Sequence, residues 1–225
     1  MISEFIDFLR NSKKYGFFAV VRDLININKL YLQKSYVNKV LKFAEENDMK
    51  FTFFFTAKKL DKKMPLIKRI LADGHEIGSH GYNHIALGRR NYETIFRELK
   101  RADIEFKKHG INVVGFRAPF LSINENVIEV IRRLGYKYSS NSYTKTNNKV
   151  KEANIIAPYD WEGLIAYGLS LEELFKKWKG KEGVFLLHPW VFANKLELFK
   201  KEILKKGGDY RIKSGNKISV SFDVY

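Results

Sequence analysis

Short apolar runs alternate with amphipathic stretches along the whole chain. Most of the runs are hydrophobic at consecutive positions, which is typical of strands covered on both faces. The runs that predict strands are Phe17–Val21, Lys50–Thr56, His75–Ser79, Val114–Ala118, Tyr136–Ser140, Asn154–Ala157 and Val184–His188. The stretches that predict helices are Ser35–Glu46, Pro65–Ala72, Tyr92–His109, Glu125–Leu134, Leu171–Lys179 and Asn194–Lys205. This alternation predicts parallel βα units, and about seven of them favour an incomplete barrel over an open sheet.

Local signals refine the ends of these elements. Ser35 and Asn124 are suited to be the N-caps of the first and fourth helices, because their side-chain oxygens can accept a hydrogen bond from the first helical turn. The tail, residues 207–225, alternates polar and apolar positions and predicts an edge strand with no identified partner. No repeat or linker divides the sequence, so we expect one domain over residues 1–225.

Composition narrows the classes of protein that remain. The chain has no cysteine, which excludes disulfide scaffolds, thiolate zinc sites and cysteine nucleophiles. The net charge of +16 would favour anionic partners such as a membrane surface, for which we expect at most a weak contact. Nucleic acid is not an expected partner, since the basic residues are scattered along the chain. The sequence shows no signal peptide or membrane-spanning run, and we expect a cytoplasmic location.

The sharpest local signal is a pair of histidines, His80 and His84, directly after a predicted strand. One helical turn would place both imidazoles on the same side of the chain. Neutral imidazoles at this spacing suit a zinc-type ion. The spacing alone is equally typical of surface or capping histidines, but the position after a strand favours a metal site.

Three further strand ends carry a charged or titratable residue: Asp23, Arg117 and His188. Such a residue at the end of an apolar strand needs partners, which a polar site would provide. Each one alone is more often a structural residue. Because the carboxyl ends of strands in a parallel barrel meet at one edge, the group predicts a site there.

These residues resemble the motifs of the polysaccharide deacetylases with a NodB homology domain, also known as carbohydrate esterase family 4. The segments that carry the resemblance are Ser79–His84, Arg117–Phe120, Asp160-Trp161 and Leu186–His188. The resemblance implies an α/β fold, a distorted (β/α)7 barrel in a single domain. It also implies a metal-dependent hydrolase that removes N-acetyl groups from an amino sugar or glycan.

The resemblance further implies a role for each residue. Asp23, His80 and His84 would hold a divalent ion, expected to be Zn²⁺, with Co²⁺, Ni²⁺ or Mn²⁺ as the other candidates. His188 would donate a proton to the leaving amine, while Arg117 and Asp160 would hold the charged groups in place. The aromatic residues expected to stack on a sugar ring are Tyr82, Phe120, Trp161 and Trp190, and ordinary packing is the alternative for each.

One motif departs from the family pattern, which has two adjacent aspartates after the first strand, a general base and then a metal ligand. Here the residues are Arg22-Asp23-Leu24. If Asp23 is the ligand, Arg22 replaces the base, and we expect it to border the cleft paired with an acid such as Asp160. If Asp23 is instead the base, Leu24 replaces the ligand. Either way one acid is missing, so the alternative function is a catalytically impaired glycan-binding protein. The acids considered as substitutes are Glu76 and Glu162.

Overall fold

A computed structural model describes residues 30–141, 150–204 and 208–224 of the chain. The α-helices of this part are α1 (Leu30–Glu46), α2 (Leu60–Ala72), α3 (Tyr92–Lys108), α4 (Glu125–Arg133), α5 (Leu171–Trp178), α6 (Pro189–Phe192) and α7 (Leu196–Glu202). The strands are β1 (Met49–Lys50), β2 (Thr52–Phe55), β3 (Glu76–Ser79), β4 (Gly115–Phe116), β5 (Tyr138–Ser139), β6 (Lys151–Glu152), β7 (Gly183–Leu187), β8 (Gly208–Asp209) and β9 (Ile218–Val224). Short 3-10 turns and one π-helical turn, Glu162–Ala166, connect them. None of the helices in the described ranges has the length and apolar character needed to cross a bilayer.

The main sheet has seven strands in the order β6-β5-β4-β3-β2-β9-β7, and every neighbouring pair is parallel. A parallel bridge between Ile155 and Val184 links the chain after β6 back to β7, so the sheet curls towards closure. Helices cover its outer face. The α/β class and the distorted (β/α)7 barrel predicted from the sequence are confirmed.

Most of the predicted strands are present but shorter than their apolar runs. The prediction of a strand over Asn154–Ala157 is wrong: only Ile155 forms a bridge, and the strand of this region is Lys151–Glu152. Hydrophobicity continues past the strand ends because the connecting segments are also buried. The predicted strand Phe17–Val21 lies outside the described residues.

The C-terminal strand corrects a prediction of greater consequence. β9 is not an edge strand, since it pairs with β2 on one side and with β7 on the other. Phe222 is aligned with Phe53 of β2 and with Leu187 of β7. Its pattern alternates because Val220 and Phe222 pack in the main core, whereas Ser221 and Asp223 face the opposite way and bind Arg117. The strand position between β2 and β7 is therefore filled by the C-terminal part of the chain.

The helix boundaries show which capping signals were reliable. Asn124 caps α4 as predicted, because its Oδ1 accepts a hydrogen bond of 3.0 Å from the Val127 N–H. Ser35 is not an N-cap, since α1 already includes Leu30. The helix predicted from Pro65 begins five residues earlier, at Leu60, so Pro65 lies inside α2 and not in its first turn, where proline is favoured.

The side of β9 that faces the helices belongs to the main hydrophobic core. The Phe222 ring lies 5.6 Å from the ring of Phe51 and 5.3 Å from the ring of Phe53, and the residue is fully buried. Aromatic contacts of this kind add to the free energy gained from burial alone. The core therefore ties the C-terminal strand to β2.

Phe222→Ala tests whether β9 is a central strand. We expect the substitution to lower the free energy of unfolding by about 3–5 kcal/mol, because it removes a fully buried ring and leaves a cavity in the core. Urea unfolding measures this value. Leu198→Ala is the control, since Leu198 is exposed and its loss should cost about 0.5 kcal/mol or less. A similarly small cost for Phe222→Ala would contradict the central position of β9.

Candidate functional site

Four buried polar residues meet at the carboxyl edge of the sheet, each from a different strand. His80 follows β3, Arg117 follows β4, His188 follows β7, and Asp223 lies near the end of β9. None of the four is more than 6% exposed. Backbone hydrogen bonds of the sheet continue past the strand ends. For example, the His80 N–H donates to the Phe55 carbonyl at 2.8 Å. The backbone positions of these residues are thus fixed by the sheet.

A buried ion pair joins two of these strands across the barrel. Arg117 Nη1 lies 3.0 Å from Asp223 Oδ1 and donates to Ser221 Oγ at 2.8 Å. The other guanidinium nitrogens donate to the carbonyl and the hydroxyl of Ser140, at 2.9 and 2.7 Å. The guanidinium also lies over the Phe54 ring, 4.4 Å from its centroid. Arg117 is therefore held on all sides.

The charge of Asp223 depends on this pairing. Burial disfavours the carboxylate, but the nearby Arg117 guanidinium outweighs that effect, and the pKa of Asp223 is held below its usual value. Asp223 is a residue of the site that the sequence reasoning missed. The signal was present, since an acid lies near the end of an alternating run there, just as Asp23 follows the apolar run Phe17–Val21.

His80 has a defined orientation. Its Nδ1 lies 2.9 Å from the carbonyl oxygen of Arg117, so Nδ1 carries the proton and Nε2 carries the lone pair. Nε2 faces Asp223 Oδ2 at 4.0 Å. Burial is the main reason that the pKa of His80 falls to about 4, and the imidazole is neutral at pH 7.

The segment between the two histidines is a loop and not the helical turn assumed from their spacing. Gly81 and His84 have φ values of 73° and 52°, which lie in the left-handed region. The two imidazole rings are nevertheless neighbours, with centroids 5.1 Å apart. Burial also lowers the pKa of His84 well below its usual value. The loop therefore presents two neutral imidazoles side by side.

Asp160 and His188 form a second hydrogen-bonded pair in the site. His188 Nδ1 lies 2.8 Å from Asp160 Oδ1, and the His188 N–H donates to Oδ2 at 2.6 Å. Asp160 Oδ1 also accepts a hydrogen bond from the Trp161 N–H at 2.6 Å. Leu187, the preceding residue, points into the main core. Asp160 therefore fixes the ring of His188 on the inner side of the barrel. Arg22, expected to pair with an acid such as Asp160, lies outside the described residues.

Two of the predicted sugar-stacking residues lie against histidines of the site. The Phe120 ring lies 4.7 Å from the His84 ring and is 37% exposed. The Trp190 ring lies 5.9 Å from the His188 ring. One aromatic ring therefore lies beside His84 and another beside His188.

The other two predicted stacking residues have different neighbours. Trp161 is 6% exposed and stacks on Tyr159 with 6.5 Å between ring centroids. Tyr82 lies under the guanidinium of Arg101, which is 3.9 Å from its ring centroid. Both residues thus have packing contacts, and sugar stacking by either of them stays a prediction.

The two acids considered as substitutes for the missing carboxylate lie elsewhere. Glu76 is at the amino end of β3, where it accepts hydrogen bonds from Thr52 Oγ1 at 2.7 Å and from the Tyr138 hydroxyl at 3.0 Å. Glu162 is in the π-helical turn and accepts from the Tyr167 hydroxyl at 2.8 Å. Asp223 is the carboxylate that the structure brings to His80.

Residues that could hold a cation are the two histidines. His80 has the arrangement common in metal ligands, with one ring nitrogen donating to a backbone carbonyl and the lone pair on the other nitrogen. Both rings are neutral, as binding of a metal requires. Within the described ranges, a tight set of three ligand-type side chains occurs only at the surface, where Asp61 and Glu105 lie close to His109. Asp23, the predicted third ligand, lies outside those ranges.

The curled parallel sheet with a histidine-containing site at its carboxyl edge defines a barrel of the (β/α)7 type. A profile of the polysaccharide deacetylase family matches residues 25–139, about half of the chain. The chain belongs to this family, which confirms the resemblance drawn from its motifs.

Individual relatives agree with this assignment. Peptidoglycan-N-acetylglucosamine deacetylase PgdA of Listeria monocytogenes is 29% identical over 93 residues, which cover 41% of this chain and 20% of the relative. A chitin deacetylase of Arthroderma benhamiae is 27% identical over 175 residues, covering 75% of this chain and 44% of the relative. The chain thus spans less than half the length of these curated relatives.

Solved structures share the fold at low sequence identity. A family 4 carbohydrate esterase from Streptomyces lividans, in complex with acetate, has a TM-score of 0.57 and 16% identity, covering 82% of this chain and 91% of that one. A pseudoenzyme of the same family from Bacillus anthracis has a TM-score of 0.58 and 16% identity, covering 84% of this chain and 59% of that one. At this identity the likeness establishes the fold alone.

The burial of His80 leads to a prediction about stability. In the fold its imidazole takes up a proton near pH 4, whereas in the unfolded chain it does so near pH 6.5. Between these values the unfolded state binds more protons, so stability is present above pH 6.5 and is lost as the pH falls towards 4. We expect this group alone to contribute a loss on the order of 3 kcal/mol.

His80→Gln should remove this part of the pH dependence. Urea unfolding between pH 4 and 7, with a chelator present, measures the slope of the free energy of unfolding against pH. We expect a shallower slope for the variant than for the wild type. An unchanged slope would show that the His80 imidazole is not held neutral in the fold.

Proposed function

We propose that this chain is a metal-dependent hydrolase that removes N-acetyl groups from an amino sugar or glycan. The observation that carries the proposal is the convergence of His80, His84, the Arg117–Asp223 pair and the Asp160–His188 pair at one edge of the barrel. Family membership and the deacetylase names of the relatives support the reaction class. We propose further that residues 1–225 form one deacetylase-like domain.

The residues proposed to hold the ion are His80, His84 and Asp23. The orientation of His80 supports its assignment, since the proton on Nδ1 leaves Nε2 as a donor atom. A zinc-type ion suits a donor set of imidazole and carboxylate. When bound, a divalent cation supplies Lewis acidity, which activates water and polarises an amide carbonyl.

Asp223 is proposed to accept the proton of the attacking water. Its Oδ1 is bonded to Arg117, so Oδ2 is the oxygen that faces His80 Nε2, at 4.0 Å. Two atoms bound to one tetrahedral zinc lie roughly 3.3 Å apart, so the longer separation favours a proton acceptor beside the ion over a ligand. Arg117 keeps the carboxylate ionised and oriented. Asp223 thereby supplies the acid that the Arg22-Asp23-Leu24 segment lacks.

His188 is proposed to donate a proton to the amine that leaves. Its Nδ1 is bound to Asp160, which directs Nε2 away from that carboxylate and stabilises the protonated ring. The proton acceptor and the proton donor thus come from separate strands, β9 and β7. In such an arrangement one group accepts a proton from the attacking water and a different group donates a proton to the leaving amine.

The substrate is proposed to be an N-acetylated sugar ring. Phe120 and Trp190 support this assignment, because their rings flank His84 and His188 and an aromatic face can stack on the apolar face of a sugar. Phe120 is also one of the few large apolar side chains exposed in the described ranges.

A second candidate function is glycan binding with impaired catalysis. The family pattern has a second aspartate, a metal ligand, directly after the first. The residue after Asp223 is Val224, which is buried in the main core. If Asp23 does not reach the histidines, the ion is held by two protein ligands and catalysis is weakened.

Acetate release from N-acetylglucosamine oligomers, with added zinc, tests the proposed function. We expect His188→Ala and Asp223→Asn each to lower the rate by about 10²–10⁴-fold, because each removes one proton-transfer group. Both variants should keep the metal content of the wild type, since neither residue is a proposed ligand. His80→Ala should lose the metal and the activity together.

His75→Ala is the matched control. His75 is another buried histidine and lies at the amino end of the sheet, where its Nδ1 accepts a hydrogen bond of 3.0 Å from the Phe51 N–H. Its loss should leave metal content unchanged. Oligomer binding by the wild type without acetate release would overturn the hydrolase in favour of glycan binding, and loss of metal in Asp223→Asn would make that residue a ligand.

A further inference from the structure

The loop that carries the two histidines is held from outside by one side chain of α3. Glu98 accepts two hydrogen bonds from Asn83, one from its backbone N–H and one from its side-chain amide, the latter at 2.9 Å. Glu98 is only 8% exposed. A buried carboxylate that binds a loop residue at two points restrains both the position and the rotation of that residue.

The backbone of this loop needs such restraint. His84, the residue after Asn83, has a φ of 52°, a left-handed conformation that is uncommon for residues other than glycine. A conformation of this kind persists only where surrounding contacts determine it. Asn83 is therefore the point at which a contact can hold His84 in place.

The rest of the loop is anchored on both sides. Its inner side pairs with the chain after β2, through the Ala57 N–H to the Gly81 carbonyl at 2.9 Å and the Lys58 N–H to the Tyr82 carbonyl at 3.2 Å. On the other side lies Arg101, which is one helical turn after Glu98 in α3. Its guanidinium lies 3.9 Å from the centroid of the Tyr82 ring. These contacts fix the middle of the loop. The contact of Glu98 fixes its final turn into His84.

We propose that Glu98 is a positioning residue of the metal site, whose carboxylate clamps Asn83 and so sets the orientation of the His84 imidazole relative to His80. The inference rests on the proposed function, because it assumes that the two histidines hold an ion. Glu98 lies behind the loop and bonds to it at Asn83. Its effect on the ion passes through Asn83.

Titration of the metal-free protein with Co²⁺ tests this role, because the visible absorption of bound Co²⁺ reports both affinity and ligand geometry. We expect Glu98→Ala to weaken Co²⁺ binding by roughly 10–100-fold, the usual effect of losing a group that orients a ligand. We also expect an altered spectrum at saturation. Asn83→Ala should give the same loss, and the double variant should be no weaker than either single variant.

Two further variants separate positioning from charge and from general stability. Glu98→Gln can keep both hydrogen bonds if the Asn83 amide reverses, so we expect binding within about threefold of the wild type. Asp103→Asn is the matched control, because Asp103 is a buried acid of the same helix whose partners, Lys100 and Lys107, also belong to α3. Its affinity and spectrum should be those of the wild type.

The outcomes distinguish this inference from the proposed function. If the wild type does not bind Co²⁺, or binds it equally well after His80→Ala, the proposed metal site fails. If the wild type binds Co²⁺ through His80 but Glu98→Ala and Asn83→Ala keep its affinity and spectrum, only the clamp is overturned. Should Glu98→Ala fail to fold, the result for Asn83→Ala decides the question by itself.

Discussion

The buried ion pair between Arg117 and Asp223 is the interaction on which the rest of the site depends. It joins β9 to the end of β4, and β2 and β3 lie between these two strands in the sheet. Arg117 is completely buried, so removing its partner would leave a buried charge without compensation, typically at a cost of about 3–5 kcal/mol. The pair therefore specifies where β9 lies as well as the charge state of the site.

The same residue connects the pair to the histidine loop. The carbonyl oxygen of Arg117 holds His80 Nδ1, while its guanidinium holds Asp223. One residue thus orients a neutral imidazole and an ionised carboxylate towards each other. Burial keeps His80 neutral, and the guanidinium keeps Asp223 charged, so a single low-dielectric region contains both kinds of group.

Much of this arrangement could be predicted from local sequence signals. The alternation of strands and helices gave the fold class, the side chain of Asn124 gave a helix start, and three of the four converging residues were identified as strand ends. The position of Asp223 could not be predicted in this way. Its partner, Arg117, is 106 residues away. An alternating sequence is the same for a strand at the edge of a sheet and for a central strand with a polar inner face.

The histidine loop shows a second limit of local reasoning. Spacing suggested a helical turn, but the left-handed residues Gly81 and His84 bring the rings together by another route. Such a conformation is set by tertiary contacts, among them the hydrogen bonds from Asn83 to Glu98, which no short motif encodes. Motif spacing therefore indicated which residues meet, but not the backbone that brings them together.

Anomalous scattering at the zinc edge, from crystals grown with zinc, would locate the ion among these residues. We expect one strong peak at the carboxyl edge of the barrel, within about 2.0–2.2 Å of a ring nitrogen of both His80 and His84. Asp223 should lie beside that peak and remain paired with Arg117. A peak only at the surface cluster of Asp61, Glu105 and His109, or a structure in which Asp223 is separated from Arg117, would contradict the account.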